Sequence, residues 1–286
     1  MQTHSNQISQ KAFTLVEVAI VLVIVGLAIG GILSTLSAQV EQQKFNETRN
    51  TINNVKEALL GYAMANGRFP CPALQQTTPP TLPITAVESP SNASTGVACT
   101  NYLNGYVPGV TLGLTPTDTY GYVLDGWNNP VRYAIADVRD TPGAASVFTN
   151  SNGMKNANSG GCPSCGMSWL SNQVESATVP VVITANQTLL SICNTASNIT
   201  VRAACQNVTS RLTETAVLVV YSTGKNFKAI PAGAGIDEQA NLNNDAAFIS
   251  HEPYAAGAAN GEFDDIVEWI SPNSIFSRLV QANQLP

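Results

Sequence analysis

The chain has 286 residues, a formal net charge of −6, 44% hydrophobic residues and only 11% charged ones. So acidic a chain lacks the basic stripe that displaces phosphate counterions, which argues against nucleic-acid binding. Two histidines in the whole chain leave catalysis little to stand on, while the length allows one or two domains and a sizeable soluble core.

The first element opens with Lys11-Ala12-Phe13-Thr14-Leu15-Val16-Glu17 and continues as VAIVLVIVGLAIGGILSTLSAQV. From Val18 to Val40 no residue carries a formal charge. At about 1.5 Å per residue this run is long enough to cross a hydrocarbon core of about 30 Å. A cleaved secretory signal fits poorly, because its apolar region is about 7–15 residues long and a small-x-small site follows it. Here Ser34-Thr35-Leu36-Ser37-Ala38 is a weak candidate for such a site. A single-pass anchor fits the length, with Lys11 on the cytoplasmic side. It leaves Glu17 unexplained, as does a buried helix of a soluble core. A carboxylate costs about 2.5–3.5 kcal/mol at mid-membrane and less near the interface.

The next stretch changes pattern without a break. Phe45, Thr48, Ile52, Val55, Leu59 and Tyr62 recur at helical spacing, with Glu47, Arg49, Asn53, Lys56 and Glu57 between them. No Pro occurs between Phe13 and Arg68, and Asn66-Gly67 followed by Pro70 is a stop signal. The pattern predicts one helix from about Thr14 to Ala65, about 78 Å long. Its first half is apolar all round and its second half is amphipathic.

From Cys71 to Thr119 the chain is rich in Pro, Thr, Ser and Gly and reads as a long loop. Gly121–Leu124 and Val131–Ile135 read as strands around a turn at Asp125–Pro130. Residues 143–176 read as loop, Thr178–Ala185 and Ala216–Tyr221 as central strands. Leu189–Leu212 reads as including a short helix. Six cysteines, Cys71, Cys99, Cys162, Cys165, Cys193 and Cys205, lie beyond the apolar run. An even number in an exported chain reads as a disulfide framework whose connectivity the sequence leaves open. Pairing in sequence order, Cys71–Cys99, Cys162–Cys165 and Cys193–Cys205, is the simplest. Cys162-Pro163-Ser164-Cys165 sits among Gly and Ser, without a helix start for a redox thiol or a second ligand pair for zinc, so it reads as a loop clamp. His251 stands without a recognisable Ser or Cys nucleophile, Gly257–Gly261 is not a phosphate loop, and no enzyme is expected.

Ala12-Phe13-Thr14-Leu15-Val16-Glu17 resembles the processing site of type IV prepilins and type II secretion pseudopilins. The resemblance implies that residues 1–12 are a leader, that a prepilin peptidase cuts between Ala12 and Phe13, and that Phe13 becomes N-methylated. It also implies that Glu17 neutralises the new amine of a neighbouring subunit in a filament, which gives the buried charge a partner. The usual Gly before the cut is Ala12 here, and the family's common Pro in the apolar run is Ser34. Two later segments resemble the major pseudopilin class. Asp125-Gly126-Trp127-Asn128-Asn129-Pro130-Val131-Arg132-Tyr133 is similar to its Asp-x-Trp-Gly-Asn-Pro-x-x-Tyr segment. Val220–Asn226 and Asp264–Trp269 resemble its final loop, where Ser and Asp oxygens hold calcium. By that resemblance Ser222, Asn226, Asp264 and Asp265 are candidate calcium ligands, with Asn226 in place of an Asp and a longer intervening loop, Phe227–Phe263. Asp264 and Asp265 are otherwise read as a cap before the last element. No cofactor is required, and calcium is the one that would fit.

The expected fold is α+β and pilin-like. One long helix (about 14–65) packs by its second half on an antiparallel β-sheet head with loop-rich insertions. The expected organisation is leader 1–12, membrane and filament-core half-helix 13–40, amphipathic half-helix 41–66 and head 67–286. The resemblance implies a structural subunit, major or minor, of a type IV pilus or secretion pseudopilus. Its partners are then copies of itself and other pilins, the prepilin peptidase, an inner-membrane assembly platform and, before assembly, membrane lipid. The head would lie in the periplasm and then in the filament, up to the cell surface. The alternative is a minor pilin whose enlarged head is an adhesin or binding module.

Overall fold

The computed structural model describes residues 14–75, 86–90, 98–139, 146–151, 153–156, 187–199, 205, 208–226, 235–254, 257–258 and 260–284, with the side chains of 28–37, 156, 187–188, 198 and 208 outside that set. The expected processing residues Ala12 and Phe13, the pair Cys162 and Cys165, and the strand expected at Thr178–Ala185 lie outside the described residues. The chain divides into two compact units, Met1–Phe45 and Asn46–Pro286. Helix α1 runs over Leu15–Asn66 and belongs to both.

In the first unit the helix starts at Thr14, whose hydroxyl accepts the Glu17 N–H at 3.3 Å. Thr14-Leu15-Val16-Glu17 thus has the spacing of a capping box, with a carboxylate in the first turn where the helix dipole favours it. Large apolar side chains on this part of α1 are exposed: Leu15 is 89%, Leu22 66% and Leu27 75% accessible. Among the described residues no helix is long and apolar enough to cross a membrane. The uncharged run Val18–Val40 passes through 28–37, whose side chains lie outside that set.

In the second unit the amphipathic stripe is the buried one. Ile52, Val55, Leu59 and Ala63 on α1 are buried, and so is Thr48, whose hydroxyl accepts the Gly126 N–H at 2.9 Å. The helix ends at Gly67, where φ is 66° and the N–H bonds Ala63 O at 2.8 Å, a left-handed stop that glycine adopts without a Cβ penalty.

The main sheet has four antiparallel strands. They are β1 (Gly105–Tyr106), β2 (Arg132–Ile135), β7 (Leu218–Ser222) and β9 (Ile266–Ile270), in the order β1-β2-β7-β9. Tyr133 faces Val220 across β2 and β7, and Ser222 faces Ile266 across β7 and β9. Every residue of β2 and β7 is buried, as expected of central strands with both faces covered. Two one-turn helices, α2 (Gly109–Leu112) and α3 (Gly153–Asn156), lie in the connections, and α5 (Pro272–Gln281) closes the chain. A two-stranded sheet pairs β3 (Asp137–Val138) with β4 (Gln187–Thr188).

A second sheet joins β5 (Leu190–Cys193), β6 (Arg211–Ala216) and β8 (Ala247–Ile249) in the order β6-β5-β8. Helix α4 (Ile236–Ala240) precedes β8. The four-stranded sheet is the antiparallel one expected, and this second sheet is mixed. β5 and β8 pair in parallel, Ile192 facing Phe248, which the long connection between them permits. Among the described residues of 189–212 stand β5, two single 3₁₀ turns at Ala196–Asn198 and Val208–Ser210, and the start of β6, with no α-helix. The strand expected at Gly121–Leu124 is also absent; only Leu124 bridges Pro130. Asp118 Oδ1 takes the N–H groups of Tyr120 and Tyr122 at 2.9 and 2.8 Å, and Gly121 has φ 86°, so local bonds use the donors a ladder would need. Disulfides join Cys71 to Cys99 and Cys193 to Cys205. The first closes the loop after α1, and the second packs with Ala240, Ile249 and Phe263 in a small core of its own.

Candidate cation site

Three chain segments meet beyond the end of β7. The first is the turn after Ser222. Gly224 there has φ 59°, and a Cβ on it would lie 1.8 Å from Asp264 Oδ1, so glycine is required twice over. The second is α4, with Asp237 and Glu238 in its first turn. The third is Asp264-Asp265, just before β9.

Glu238, Asp264 and Asp265 each offer a carboxylate oxygen, and these lie within 4.8 Å of one another. Their residues are 0%, 3% and 4% exposed. Polar hydrogens hold the outer oxygens. Asn226 Nδ2 donates to both Glu238 oxygens at 2.9 and 2.8 Å, and Asp264 N donates to Glu238 Oε1 at 3.0 Å. Lys225 N donates to Asp264 Oδ2 at 3.2 Å, and Asn241 Nδ2 to Asp265 Oδ2 at 2.7 Å. Asp264 Oδ1, Asp265 Oδ1, Asn226 Oδ1 and Thr223 Oγ1 are buried with no hydrogen-bond partner among the described residues.

Burial, then repulsion from Glu238, pushes the Asp264 carboxyl up to about 7. Burial also raises Asp265 well above the usual carboxylate range, with Glu238 and Asp264 adding to it, although the Asn241 amide pulls the other way. Glu238 is raised by burial against the opposing bonds from Asn226 and Asp264. Three buried carboxylates at this spacing are stable when protonated or when a cation sits among them. The donors are all hard oxygens, with no imidazole or thiolate, which suits calcium rather than zinc or copper.

Of the four sequence-derived candidates, the structure brings Asp264 and Asp265 together and sets Asn226 against Glu238. Ser222 has other engagements: its hydroxyl donates to Asp125 Oδ2 at 2.5 Å and accepts the Gly224 N–H at 3.1 Å. Glu238 was not among the candidates. Its only sequence signal is the acidic pair Asp237-Glu238 inside the long Phe227–Phe263 insertion.

The Asp125–Pro130 turn steadies the site from the other side. Asp125 Oδ1 accepts the N–H groups of Trp127 and Asn129 at 2.9 and 2.8 Å, and Asn129 Nδ2 donates to Gly224 O at 2.6 Å. The turn therefore ties α1, β7 and the glycine that makes room for Asp264.

His251 makes a short polar contact through Nδ1 and a longer charge contact through Nε2. Nδ1 lies 2.7 Å from Glu252 O, and Nε2 lies 3.4 Å from Asp237 Oδ2. The ring stacks on Phe263 and Tyr254 at centroid distances of 3.8 and 4.6 Å. Burial disfavours the charged ring, but Asp237 outweighs it and the His251 pKa is raised. Asp237 is correspondingly lowered: burial pushes it up, and His251, the Ala196 N–H and Asn260 bring it below the usual value. Asp237 of the pair also links α4 to the 3₁₀ turn after β5, through the Ala196 N–H.

Glu17 lies exposed in the first turn of α1. A family model described as the prokaryotic N-terminal methylation motif matches residues 8–33. No curated protein and no solved structure matches the chain. The chain therefore carries the prepilin-type methylation motif over residues 8–33.

Proposed function

We propose that the chain is a structural subunit of a type IV pilus or secretion pseudopilus. In this reading a prepilin peptidase removes residues 1–12 and methylates Phe13, and subunits leave the inner membrane to assemble through α1. The observation that carries it is the methylation motif over residues 8–33 leading into a helix whose large apolar side chains are exposed. Such a surface needs lipid or neighbouring helices to cover it. Glu17 then meets the amine of the next subunit. The test is Glu17→Ala: membrane insertion is expected to persist while filament yield collapses, and normal filament yield refutes the assembly role.

The head is proposed to hold calcium at Glu238, Asp264 and Asp265, with Asn226 Oδ1 supplying a further oxygen. The ion would neutralise the cluster and take up oxygens that otherwise lack a partner. Calorimetric titration checks this, with no heat at millimolar calcium as the refuting result. The second sheet, β6-β5-β8, enlarges the head and favours a second reading, a minor subunit that displays a binding module. Copy number in sheared filaments separates the two, since a close-packed rod of identical subunits needs this chain in bulk.

A further inference from the structure

Helix α4 is only Ile236–Ala240, too short to be stable by itself, so its neighbours must hold it. Its polar side chains, with that of Asn241 just after it, reach in three directions. Asp237 turns toward the second sheet, accepting the Ala196 N–H at 2.5 Å and the Thr195 hydroxyl at 3.2 Å. Asn241 binds β8 on both backbone groups of Ile249, at 3.1 Å to its oxygen and 2.6 Å from its nitrogen. Glu238 turns toward the main sheet, where Asp264 and Asp265 lead into β9. The short helix is therefore a polar joint between the disulfide-bonded sheet and the four-stranded one, beside the ring contact of Phe248 with Tyr221.

The chemistry of that joint is unusual. On the second-sheet side it is complementary: a carboxylate against N–H and O–H donors, and an amide against a peptide. On the main-sheet side donors reach only the outer oxygens, from Asn226 and Asp264 N to Glu238 and from Asn241 to Asp265. Three carboxylates face one another there, with Asp264 Oδ1 and Asp265 Oδ1 unpartnered and buried. Lys225, which approaches from the turn, has its Nζ 2.6 Å from Glu262. When ionised and empty, the joint repels. When a divalent cation sits among the three oxygens, the same contact attracts.

We infer that Glu238 is a calcium ligand supplied by the insertion, and that the ion it shares with Asp264 and Asp265 fastens α4 and the β6-β5-β8 sheet to the four-stranded sheet. This rests on the calcium reading above. It assigns the ion a mechanical role, in which the second sheet is firmly docked only where calcium is plentiful. Extracellular modules with such sites bind calcium at about 10⁻⁴–10⁻³ M, and the three carboxylates set the affinity.

The test uses the full-length chain in detergent micelles, with calcium chloride, magnesium chloride or chelator added. Calcium binding is followed by calorimetry, and amide exchange by mass spectrometry. Calcium is expected to slow exchange in α4, β5 and β8 by about tenfold or more, while β2 and β7, already fully packed, change little. Glu238→Gln is expected to weaken calcium binding by at least about tenfold and to abolish that slowing. If wild type binds no calcium, the calcium reading falls and takes this inference with it. If wild type binds calcium and α4 and β8 exchange equally with and without it, the inference alone is overturned, and this result does not depend on the variant folding. Unchanged affinity in Glu238→Gln overturns it equally.

Discussion

The four-stranded sheet and the β6-β5-β8 sheet follow one another at Val217, yet they are held by different chemistry. Val217 itself marks the crossing: its N–H bonds Ile270 O and its carbonyl accepts the Ala136 N–H, so it already belongs to the first sheet. There the central strands are mostly apolar and buried throughout, from Arg132 to Ile135 and from Leu218 to Ser222. The Asp125 turn combines local bonds to Trp127 and Asn129 with long-range ones to Thr48, Ser222 and Gly224. In the second sheet β6 mixes buried, half-buried and exposed residues, β5 and β6 pair with register shifts, and β8 comes from far along the chain. A disulfide and a set of acidic side chains supply what apolar area does not. Buried, mostly apolar strands dominate the first sheet, and the second leans more on a disulfide and acidic side chains.

That contrast breaks if core truncation and loss of the disulfide have the same reach. Ile135→Ala, at a fully buried position of β2, is expected to cost about 2–5 kcal/mol and to lower the urea midpoint of the whole head in one transition. Replacing both Cys193 and Cys205 by Ser opens a staple of sequence separation 12, worth about 2–4 kcal/mol. Its effect should be local: faster amide exchange in β5 and around Ile199, with β2 and β7 unchanged. Faster exchange in both sheets after loss of the disulfide would remove the distinction.

The same contrast explains what the sequence discloses. The helix over Leu15–Asn66 was legible because spacing repeats, Pro is absent and Asn66-Gly67 stops it. Strands β2 and β7 were legible because fully buried strands are apolar runs between turn residues. β5 was hidden, since Leu190-Ser191-Ile192-Cys193 reads equally as part of a short helix, and its partner β8 lies across a long insertion. Gly121–Leu124 misled in the other direction, because apolar residues there suggest pairing while Asp118 takes up their donors. The candidate site was legible in part for the same reason. Asp264-Asp265 stands beside an apolar strand and attracts notice, whereas Glu238 becomes a neighbour only through the fold. Proximity across the insertion has no signature in spacing.

The smallest expected effect sharpens the contrast by sign. On the first side, Arg68 and Glu88 pair at 2.8 Å beside the Cys71–Cys99 loop. Burial pushes the Glu88 carboxyl up, but the Arg68 bond and charge, helped by the Cys71 N–H, outweigh it and hold the pKa below its usual value. A lowered acid contributes fully above its unfolded value of about 4.3 and loses its contribution as pH falls through the folded pKa. On the second side, the His251 pKa is raised. A raised imidazole contributes fully below its unfolded value of about 6.5 and loses its contribution as pH rises through the folded pKa. The two regions therefore weaken at opposite ends of the pH scale. The check is thermal unfolding across pH in calcium-containing buffer, for wild type, Arg68→Gln and His251→Gln. The gap between wild type and Arg68→Gln should narrow toward acid, and the gap to His251→Gln should narrow toward alkali. Each is at most about 1 kcal/mol, because both pairs keep some contact with solvent. Gaps that narrow in the same direction would mean that one electrostatic environment governs both regions, and the division between the two sheets would have to be redrawn.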